Sequence, residues 1–378
     1  MIERIIESSI QNDLFKGKAI IVTGPRQVGK TTLLEKLKVA NKVKTIWLNC
    51  DEPDVRLLLE GVTSTRLKEI IGDNKLVFID EAQRVKNIGL TLKLLVDNLK
   101  NVQLIATGSS ALELANEINE PLTGRKWEYR LYPISTMEMV QHTSKLEEGR
   151  LIEQRLIYGY YPDIINNPAQ AQTALLELSN NYLYKDLLSL EAIRKPALLE
   201  KIVTALALQI GNEVSFSELA QLIGADHKTI EHYVQLLEKC YIIFQLGAFS
   251  RNLRNEIKKG RKIYFYDNGI RNAIIKNFNP IGLRQDTGAL WENYLMSERR
   301  KYNTYTKQFV NSYFWRTHAQ QEIDYIEESG GIITATEFKW NEKAKVKFPV
   351  AFAKAYPQAV FGSITKTNYM DFVCKERS

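Results

Sequence analysis

The sequence predicts an α/β protein of several domains, the first of which is built on a parallel sheet. Its 378 residues exceed the roughly 100–200 residues of one typical domain. Short apolar runs alternate with helical patterns over residues 1–150, which is the pattern of a parallel α/β sheet. The composition, 44% apolar and 25% charged, is that of an ordinary globular chain and excludes a disordered or low-complexity protein.

Net charge, cysteine content and hydropathy limit the setting of the protein. The net charge of +7 permits an acidic partner such as nucleic acid but does not require one. The three cysteines have no C-x-x-C spacing, which predicts neither a disulfide framework nor a zinc site and favours a reducing compartment. The N-terminal residues lack the apolar core of a signal peptide, and no segment approaches the ~18 uncharged apolar residues that cross a bilayer. We therefore expect a soluble, cytoplasmic protein without membrane contacts.

The first domain contains a phosphate-binding motif. Apolar runs at 19–23, 45–49, 76–79 and 103–106 are predicted strands. The first run is followed by GPRQVGKT and then by helical spacing, which is the Walker A pattern G-x-x-x-x-G-K-T in its strand–loop–helix context. Backbone N–H groups of such a loop surround phosphates, Lys30 reaches the β- and γ-phosphates, and the Thr31 hydroxyl binds Mg²⁺. The predicted ATP-binding residues of this loop are Gly24, Pro25, Arg26, Gln27, Val28, Gly29, Lys30, Thr31 and Thr32.

The third predicted strand ends in two carboxylates, Asp80 and Glu81. Open α/β sheets bind ligands at the carboxyl ends of their strands, so these side chains are expected beside the loop. We predict that Asp80 holds Mg²⁺ through its water shell and that Glu81 orients and deprotonates the attacking water. Together with Lys30, these residues predict ATP hydrolysis.

Two further features qualify as parts of the same site. The fourth strand runs into Thr107-Gly108-Ser109-Ser110, and either Thr107 or Ser109 can hydrogen-bond the water or the γ-phosphate; the alternative is a helix N-cap by Ser109 or Ser110. Arg125 precedes a strand-like segment at 127–135. Arg125 contacts the γ-phosphate in its own chain or across a subunit boundary, or it is a solvated arginine in a turn.

These motifs together resemble a known family. GPRQVGKTTLL, LVFIDEAQRV, ATGSS and LTGR…LYPIS are similar to the ATPase domain of a bacterial and archaeal AAA+ group whose members carry a C-terminal domain of unknown function. Residues 160–163 and 182–187 also fit this group, so the resemblance extends along essentially the whole chain. It implies ATP and ADP as ligands and an ATPase activity, and it leaves the cellular role open.

Residues 151–210 are predicted to be a helical lid or connector, and residues 211–275 a winged helix-turn-helix. Helical patterns at 175–188 and 198–210 precede two short helices joined at Gly224, the second of which has Asp226 as its N-cap. The wing, residues 245–262, is strongly basic: Arg251, Arg254, Lys258, Lys259, Arg261 and Lys262 stand against Glu256 alone. Such a wing can meet the phosphates of double-stranded DNA, and winged helices equally serve as protein-docking modules.

The last segment, residues 276–378, resembles the PD-(D/E)xK nuclease core. Asp324 is followed thirteen residues later by Glu337-Phe338-Lys339, and alternation places Glu337 and Lys339 on one face of their strand. The resemblance implies that Asp324 and Glu337, with Glu292 from a preceding helix, hold Mg²⁺ while Lys339 positions water. Ile323 stands where the motif has proline. The alternative is a scaffold that has lost catalysis.

Two functional hypotheses follow. The first is a Mg²⁺-dependent AAA+ ATPase (residues 1–150) whose nucleotide state controls a DNA-associated C-terminal half. The second is an ATP-dependent switch whose C-terminal half binds protein. Both allow oligomers.

Overall fold

A computed structural model describes residues 2–108, 118, 121–181, 195–250, 260–317 and 319–374. The chain forms two compact units, one of residues 1–133 with 239–241 and the other of residues 134–238 and 242–378. The predicted boundaries at 150, 210 and 275 therefore fall inside the second unit. Among the described residues, no helix has the length and apolar character needed to cross a bilayer.

The first unit contains a parallel sheet of five strands. They are β1 (Ala19–Thr23), β2 (Thr45–Asn49), β3 (Leu76–Asp80), β4 (Gln103–Gly108) and β5 (Lys126–Arg130). The strand order is β2-β3-β4-β1-β5, with β1, β3 and β4 in the interior. Interior strands of a parallel sheet are buried on both faces, and this explains why these three read as continuous apolar runs. The predicted parallel α/β sheet is confirmed, and β5 comes from the segment at 127–135.

Among the described residues, five α-helices accompany this sheet. They are α1 (Ile5–Asp13), α2 (Lys30–Ala40), α3 (Pro53–Leu59), α4 (Ser64–Ile71) and α5 (Ile88–Asn98). α2 starts directly after the loop that follows β1 and buries Leu33, Leu34 and Leu37 at helical spacing. Pro53 occupies the first turn of α3, where its missing N–H costs no intrahelical bond.

The second unit begins with short helices. They are α6 (Thr136–His142), α7 (Lys145–Arg150), α8 (Ile152–Tyr158), α9 (Pro162–Asn166) and α10 (Ala171–Asn181). A capping box fixes the start of α6, because Ser135 accepts from the N–H of Glu138 while the Glu138 carboxylate accepts from the N–H of Ser135. The helix predicted at 175–188 begins within α10, and its remaining residues lie outside the described part of the chain.

The rest of the second unit shares one mixed sheet. Its strands are β6 (Glu213–Val214), β7 (Ile243–Ala248), β8 (Arg261–Phe265), β9 (Asn311–Arg316), β10 (Glu322–Ser329), β11 (Ile332–Phe338) and β12 (Val360–Ile364). Its helices are α11 (Pro196–Leu208), α12 (Phe216–Ile223), α13 (His227–Lys239), α14 (Asn268–Ile274), α15 (Thr287–Tyr305), α16 (Val350–Ala355) and α17 (Tyr369–Val373).

The order of this sheet is β12-β11-β10-β9-β7-β8-β6. β7 pairs in parallel with β9 through Gly247 with Tyr313 and Ala248 with Phe314. The strands predicted to belong to the wing and those predicted to belong to a nuclease-like domain are therefore continuous in one sheet.

Candidate functional site

The loop between β1 and α2 has the backbone of a phosphate cradle. Gly29 has a φ of 93°, in the left-handed region that favours glycine. Gly24 is required for space, because a Cβ there would overlap the carbonyl oxygen of Leu131. Gln27 also adopts a positive φ, of 58°. The two glycines of the motif are thus explained by conformation and by close approach.

Lys30 holds a positive charge at the N-terminus of α2. Its side chain is buried, and Nζ donates hydrogen bonds to the carbonyl oxygens of Gly24 at 3.0 Å and Pro25 at 2.8 Å. Because α2 starts at this residue, its unpaired N–H groups and its dipole also favour an anion here. The loop therefore combines three features that attract phosphate.

Thr31 and Asp80 bring oxygen donors together from α2 and β3. The Thr31 hydroxyl donates to Oδ2 of Asp80 at 3.0 Å, and Asp80 is only 5% exposed. A hydroxyl beside a carboxylate is the oxygen-only donor set that Mg²⁺ prefers. These two residues, predicted from separate motifs, meet and fit a magnesium ion.

Thr107 links the two carboxylate residues across the neighbouring strand. Its hydroxyl donates to Oδ1 of Asp80 and accepts from the backbone N–H of Glu81 at 3.1 Å. A hydroxyl has one proton, and here that proton goes to Asp80. Thr107 is fully buried and fixes the carboxylate of Asp80 and the backbone of Glu81. Its hydrogen bond to a water or γ-phosphate stays a prediction. The alternative candidate, Ser109, lies outside the described residues, as does Ser110.

Glu81 follows β3 in an uncommon conformation. Its φ is 52°, in the left-handed region that residues other than glycine seldom occupy. The Nε2 of Gln83 donates to Glu81 Oε2 at 2.5 Å and fixes the carboxylate. Strained backbone of this kind is common at functional sites. The sequence did not identify Gln83 as a site residue. Its position two residues after Glu81 is the signal that could have done so.

Arg125 lies at the amino-terminal end of the strands, away from the phosphate loop of its own chain. It precedes β5, and its carbonyl accepts from the N–H of Ala19, the first residue of β1. The phosphate loop follows the last residue of β1, at the opposite end of that strand. Nε of Arg125 donates to Asp97 at 2.8 Å, and this hydrogen bond lowers the pKa of Asp97. The predicted contact of Arg125 with a γ-phosphate of the same chain is therefore wrong. Contact across a subunit boundary and an exposed arginine in a turn both remain, and the Arg125 side chain is 42% exposed.

The carboxylates predicted for a nuclease centre approach one another in the second unit. Lys339 Nζ lies 2.7 Å from Glu337 Oε2 and 3.8 Å from Asp324 Oδ2. Asp324 Oδ2 also accepts from the N–H of Phe338 at 2.8 Å. Glu292, the third predicted ligand, instead accepts from Tyr264 at 2.6 Å and from Lys262 at 2.9 Å.

Lys262 is the unexpected member of this cluster. Its side chain is 1% exposed and forms ion pairs with Glu292 and Glu322. The predicted contact of Lys262 with a DNA phosphate is therefore wrong. Burial alone would lower the pKa of Lys262, but the charges of Glu292, Glu322 and Asp324 outweigh burial and raise it.

The magnesium site predicted at this cluster gains no support from the geometry of the described residues. Among the described residues, no three carboxylate, histidine or cysteine side chains are arranged to hold a metal ion. Glu292 instead pairs with the ammonium group of Lys262, and Asp324 and Glu337 pair with that of Lys339, so the two lysines offset part of the negative charge. Burial, together with the charge of Asp324, raises the pKa of Glu292 to about 7.

The segment predicted to be a helix-turn-helix has exposed polar side chains. Asp226 accepts from the N–H of Thr229 at 2.9 Å, which confirms it as the N-cap of α13. Exposed Lys228, His232 and Gln235 follow at helical spacing. At the base of the wing, Arg261 donates to Gln245 at 3.0 Å and its guanidinium lies 4.6 Å from the ring centroid of Phe216. The other predicted wing residues, Arg251, Arg254, Glu256, Lys258 and Lys259, lie outside the described residues.

Family models match three parts of the chain. Residues 16–140 match the AAA domain. Residues 149–281 match one domain of unknown function, DUF8612, and residues 287–371 match another, DUF4143. The AAA match covers the loop, both carboxylates and the five-stranded parallel sheet. Residues 16–140 are thus similar to AAA domains, and they include the parallel sheet of the first unit.

Several curated proteins are similar along most of the chain. An uncharacterized protein of Mycobacterium tuberculosis is 24% identical over 331 residues, which cover 85% of this chain and 70% of the relative. One of Haemophilus influenzae is 22% identical over 282 residues, 68% of each chain. One of Methanocaldococcus jannaschii is 23% identical over 310 residues, 71% of this chain and 64% of the relative.

Solved structures are similar only at a low level. The Pif1 helicase from Candida albicans matches with a TM-score of 0.27 and 16% identity, covering 47% of this chain and 48% of that one. A structure of Drosophila ORC bound to AT-rich DNA and Cdc6 matches with a TM-score of 0.26 and 10% identity, covering 72% of this chain and 90% of that one. Similarity of this degree carries no argument about function.

Proposed function

We propose that this protein is a Mg²⁺-dependent ATPase. The observation that carries the proposal is the hydrogen-bonded chain from Thr31 through Asp80 to Thr107, placed where the phosphate loop meets the carboxyl ends of β3 and β4. Phosphoryl transfer depends on positioning and charge stabilisation more than on covalent chemistry. A hydrogen-bonded chain of oxygen ligands beside a phosphate cradle meets that requirement.

Each residue of the site has a distinct role in this proposal. Thr31 and Asp80 hold Mg²⁺, which neutralises charge on the phosphates when bound. Lys30 binds the β- and γ-phosphates. Glu81 orients the attacking water and takes its proton, and Gln83 keeps the Glu81 carboxylate in place.

Nucleotide-dependent thermal stabilisation tests the binding part of this proposal. ATP with Mg²⁺ should raise the unfolding temperature of the wild type, since a ligand that binds only the folded state stabilises it. Lys30→Ala should abolish this shift, while Lys38→Ala, an exposed lysine on the same helix, should retain it. A full shift in Lys30→Ala would overturn the site assignment.

The hydrolytic part is tested with Glu81→Gln. This change preserves the shape of the side chain and removes the base, so ATP should still bind while turnover falls by about 10²–10⁴-fold. Wild-type turnover in this variant would assign the base to another residue, with Asp80 the first to examine.

For the second unit we propose a winged helix that contacts double-stranded DNA. Two observations support it. The order α11-β6-α12-α13-β7-β8, with β8 between β6 and β7, is typical of winged helices. The exposed side of α13 offers hydrogen-bond donors from Lys228, His232 and Gln235. Retention on duplex DNA that falls steeply with salt is the expected result.

The alternative is an ATP-dependent switch that binds protein. It is favoured by the contacts that the basic residues at the base of the wing make within the chain. Lys262 is consumed by an internal ion cluster, and Arg261 is engaged by Gln245 and Phe216. The carboxylates offset the charge of Lys262, whereas the two uncharged partners of Arg261 hold its guanidinium at the base of the predicted wing without cancelling its charge. Absence of salt-dependent DNA binding in the full-length protein would support this alternative.

We further propose that residues 287–371 are a nuclease-like scaffold without cleavage activity. The pairing of Asp324 and Glu337 with Lys339 supports the resemblance to the nuclease core. The ion pair of Glu292 with Lys262 opposes a metal-dependent reaction, and no catalytic step is assigned to this cluster.

A further inference from the structure

Arg4 lies outside the stretch matched by the AAA model and yet contacts the phosphate loop. It is the residue before α1, which belongs to the first unit. α1 is fixed to the rest of that unit at two points. Glu7 pairs with Lys36 of α2 at 3.5 Å, and the Tyr129 hydroxyl of β5 donates to Asp13 at 2.5 Å. The Arg4 side chain therefore extends from a firmly held helix.

The Arg4 guanidinium bridges two backbone carbonyl groups. Nη1 donates to the carbonyl oxygen of Val28 at 2.6 Å, and Nη2 donates to that of Tyr132 at 2.6 Å. The residue is 8% exposed. A planar guanidinium fixes two acceptors in a set geometry, which a lysine ammonium does not. Val28 belongs to the loop, and Tyr132 follows β5.

The segment around Tyr132 is a fixed support. Leu131 donates its N–H to Thr23 of β1 at 2.8 Å, and its carbonyl oxygen packs against Gly24, the first residue of the loop. The fork of Arg4 ties Val28, near the end of the loop, to the next residue of that same segment. Both ends of the loop are therefore anchored to residues 131–132.

We propose that Arg4 is a positioning residue that directs the N–H of Gly29 toward bound phosphate. The carbonyl of Val28 and the N–H of Gly29 belong to one planar peptide group and point in opposite directions. When Arg4 holds the carbonyl on the outer side of the loop, the N–H of Gly29 faces the inner side. This inference rests on the proposed ATP site and adds a residue that sets the orientation of one phosphate-binding N–H.

The test measures binding of a non-hydrolysable ATP analogue with Mg²⁺ by titration calorimetry. Arg4→Ala should raise the dissociation constant about tenfold, because two charge-assisted hydrogen bonds that orient the loop are lost. Arg4→Lys, which restores one bond, should lie between Arg4→Ala and the wild type. Arg66→Ala, which removes an exposed arginine paired with Glu69 in the same unit, is the matched control and should bind as the wild type does.

Chemical rescue separates positioning from a merely structural role. Millimolar guanidinium should restore affinity in Arg4→Ala, since the ion fits the vacated space between two carbonyl groups, and sodium at equal ionic strength should not. Guanidinium should not restore binding in Lys30→Ala. Unchanged affinity in Arg4→Ala, or loss without rescue, would overturn the inference.

Two further outcomes are decisive. Should Arg4→Ala fail to fold, Arg4→Lys decides, and wild-type affinity in that variant would refute the role of Arg4. Failure of the wild type itself to bind the analogue would instead refute the proposed ATPase function.

Discussion

Thr107 and Asp80 share a hydrogen bond between two adjacent strands, β4 and β3, at the edge where the phosphate loop lies. The same Thr107 hydroxyl accepts from the N–H of Glu81. One buried side chain thus fixes the carboxylate that fits Mg²⁺ and the backbone of the proposed catalytic base. Its position on the strand between β1 and β3 makes this bridge possible.

Thr107→Val should impair hydrolysis more than folding. The change keeps the shape of the side chain but leaves Asp80 and the Glu81 N–H without their shared partner. We expect a fall of about 10–100-fold in turnover, the cost of losing a residue that orients metal ligands. Thr107→Ser keeps the hydroxyl and should restore most of the rate in a steady-state phosphate-release assay. Equal rates for valine and serine would show that the hydroxyl is irrelevant.

Arg125→Ala should leave ATP binding by a single subunit unchanged, because Arg125 pairs with Asp97 at the far edge of the sheet. If copies assemble, Arg125 can act only on a neighbour's nucleotide. Mixing Arg125→Ala, which has an intact loop, with Lys30→Ala, which has an intact Arg125, should then raise turnover above that of either variant alone. Reduced analogue affinity of Arg125→Ala under dilute, monomeric conditions would contradict this placement.

The success of sequence reasoning depended on how far apart the interacting residues lie in the chain. The loop glycines, Lys30 and Thr31 form one short motif whose spacing identifies them. Arg4 and Val28 are 24 residues apart, and Lys262 and Glu292 are 30 apart; neither pair forms a local pattern. A lysine in a basic stretch is expected to be exposed to solvent, whereas Lys262 is buried within β8. Only the strand pairing reveals that burial.

The exposed side of α13 is the part of the proposed DNA surface that can be tested most directly. Lys228→Glu with His232→Ala should weaken duplex binding and reduce the dependence of log K on log salt by about one unit, since one phosphate contact is lost. Fluorescence anisotropy at several salt concentrations measures both effects. Lys343→Glu, an exposed lysine elsewhere in the same unit, is the control. Identical slopes for all three proteins would favour the protein-binding alternative.

Glu292 should make the stability of the second unit pH-dependent. Burial raises its pKa from an ordinary 4.5 to about 7, so the folded state prefers the neutral carboxyl group. The stabilisation that the neutral Glu292 gives the folded state is therefore fully present below about pH 4.5 and is lost as the pH rises to about 7. The loss is no more than about 3 kcal/mol in the free energy of unfolding. Glu292→Gln should flatten that part of the urea-unfolding profile, while Glu218→Gln, at an exposed site, should not. A wild-type profile that is flat over this range would contradict the prediction.

Lys262 should prevent divalent cations from binding the C-terminal carboxylates. Its ammonium group contacts Glu292 and Glu322 and supplies positive charge there. These carboxylates therefore do not require a divalent cation. In the Lys30→Ala background, which removes the ATP site, we expect no Mn²⁺ binding by calorimetry and no cleavage of plasmid DNA. Lys262→Met in that background removes the charge and keeps the length of the side chain. The carboxylates must then protonate or recruit a cation, because burial and mutual repulsion both oppose their ionised form.

We expect Lys262→Met to acquire Mn²⁺ binding that also raises its unfolding temperature and that EDTA reverses. Adding Asp324→Ala should abolish this acquired binding, because it removes one of the carboxylates whose charge Lys262 offsets in the wild type. Lys343→Met, at an exposed site, should acquire nothing. Mn²⁺ binding by the Lys30→Ala protein with Lys262 intact, lost on Asp324→Ala, would show instead that this cluster is a metal site despite the lysine. A Lys262→Met protein that folds but binds no cation would show that protonation alone relieves the repulsion among these carboxylates.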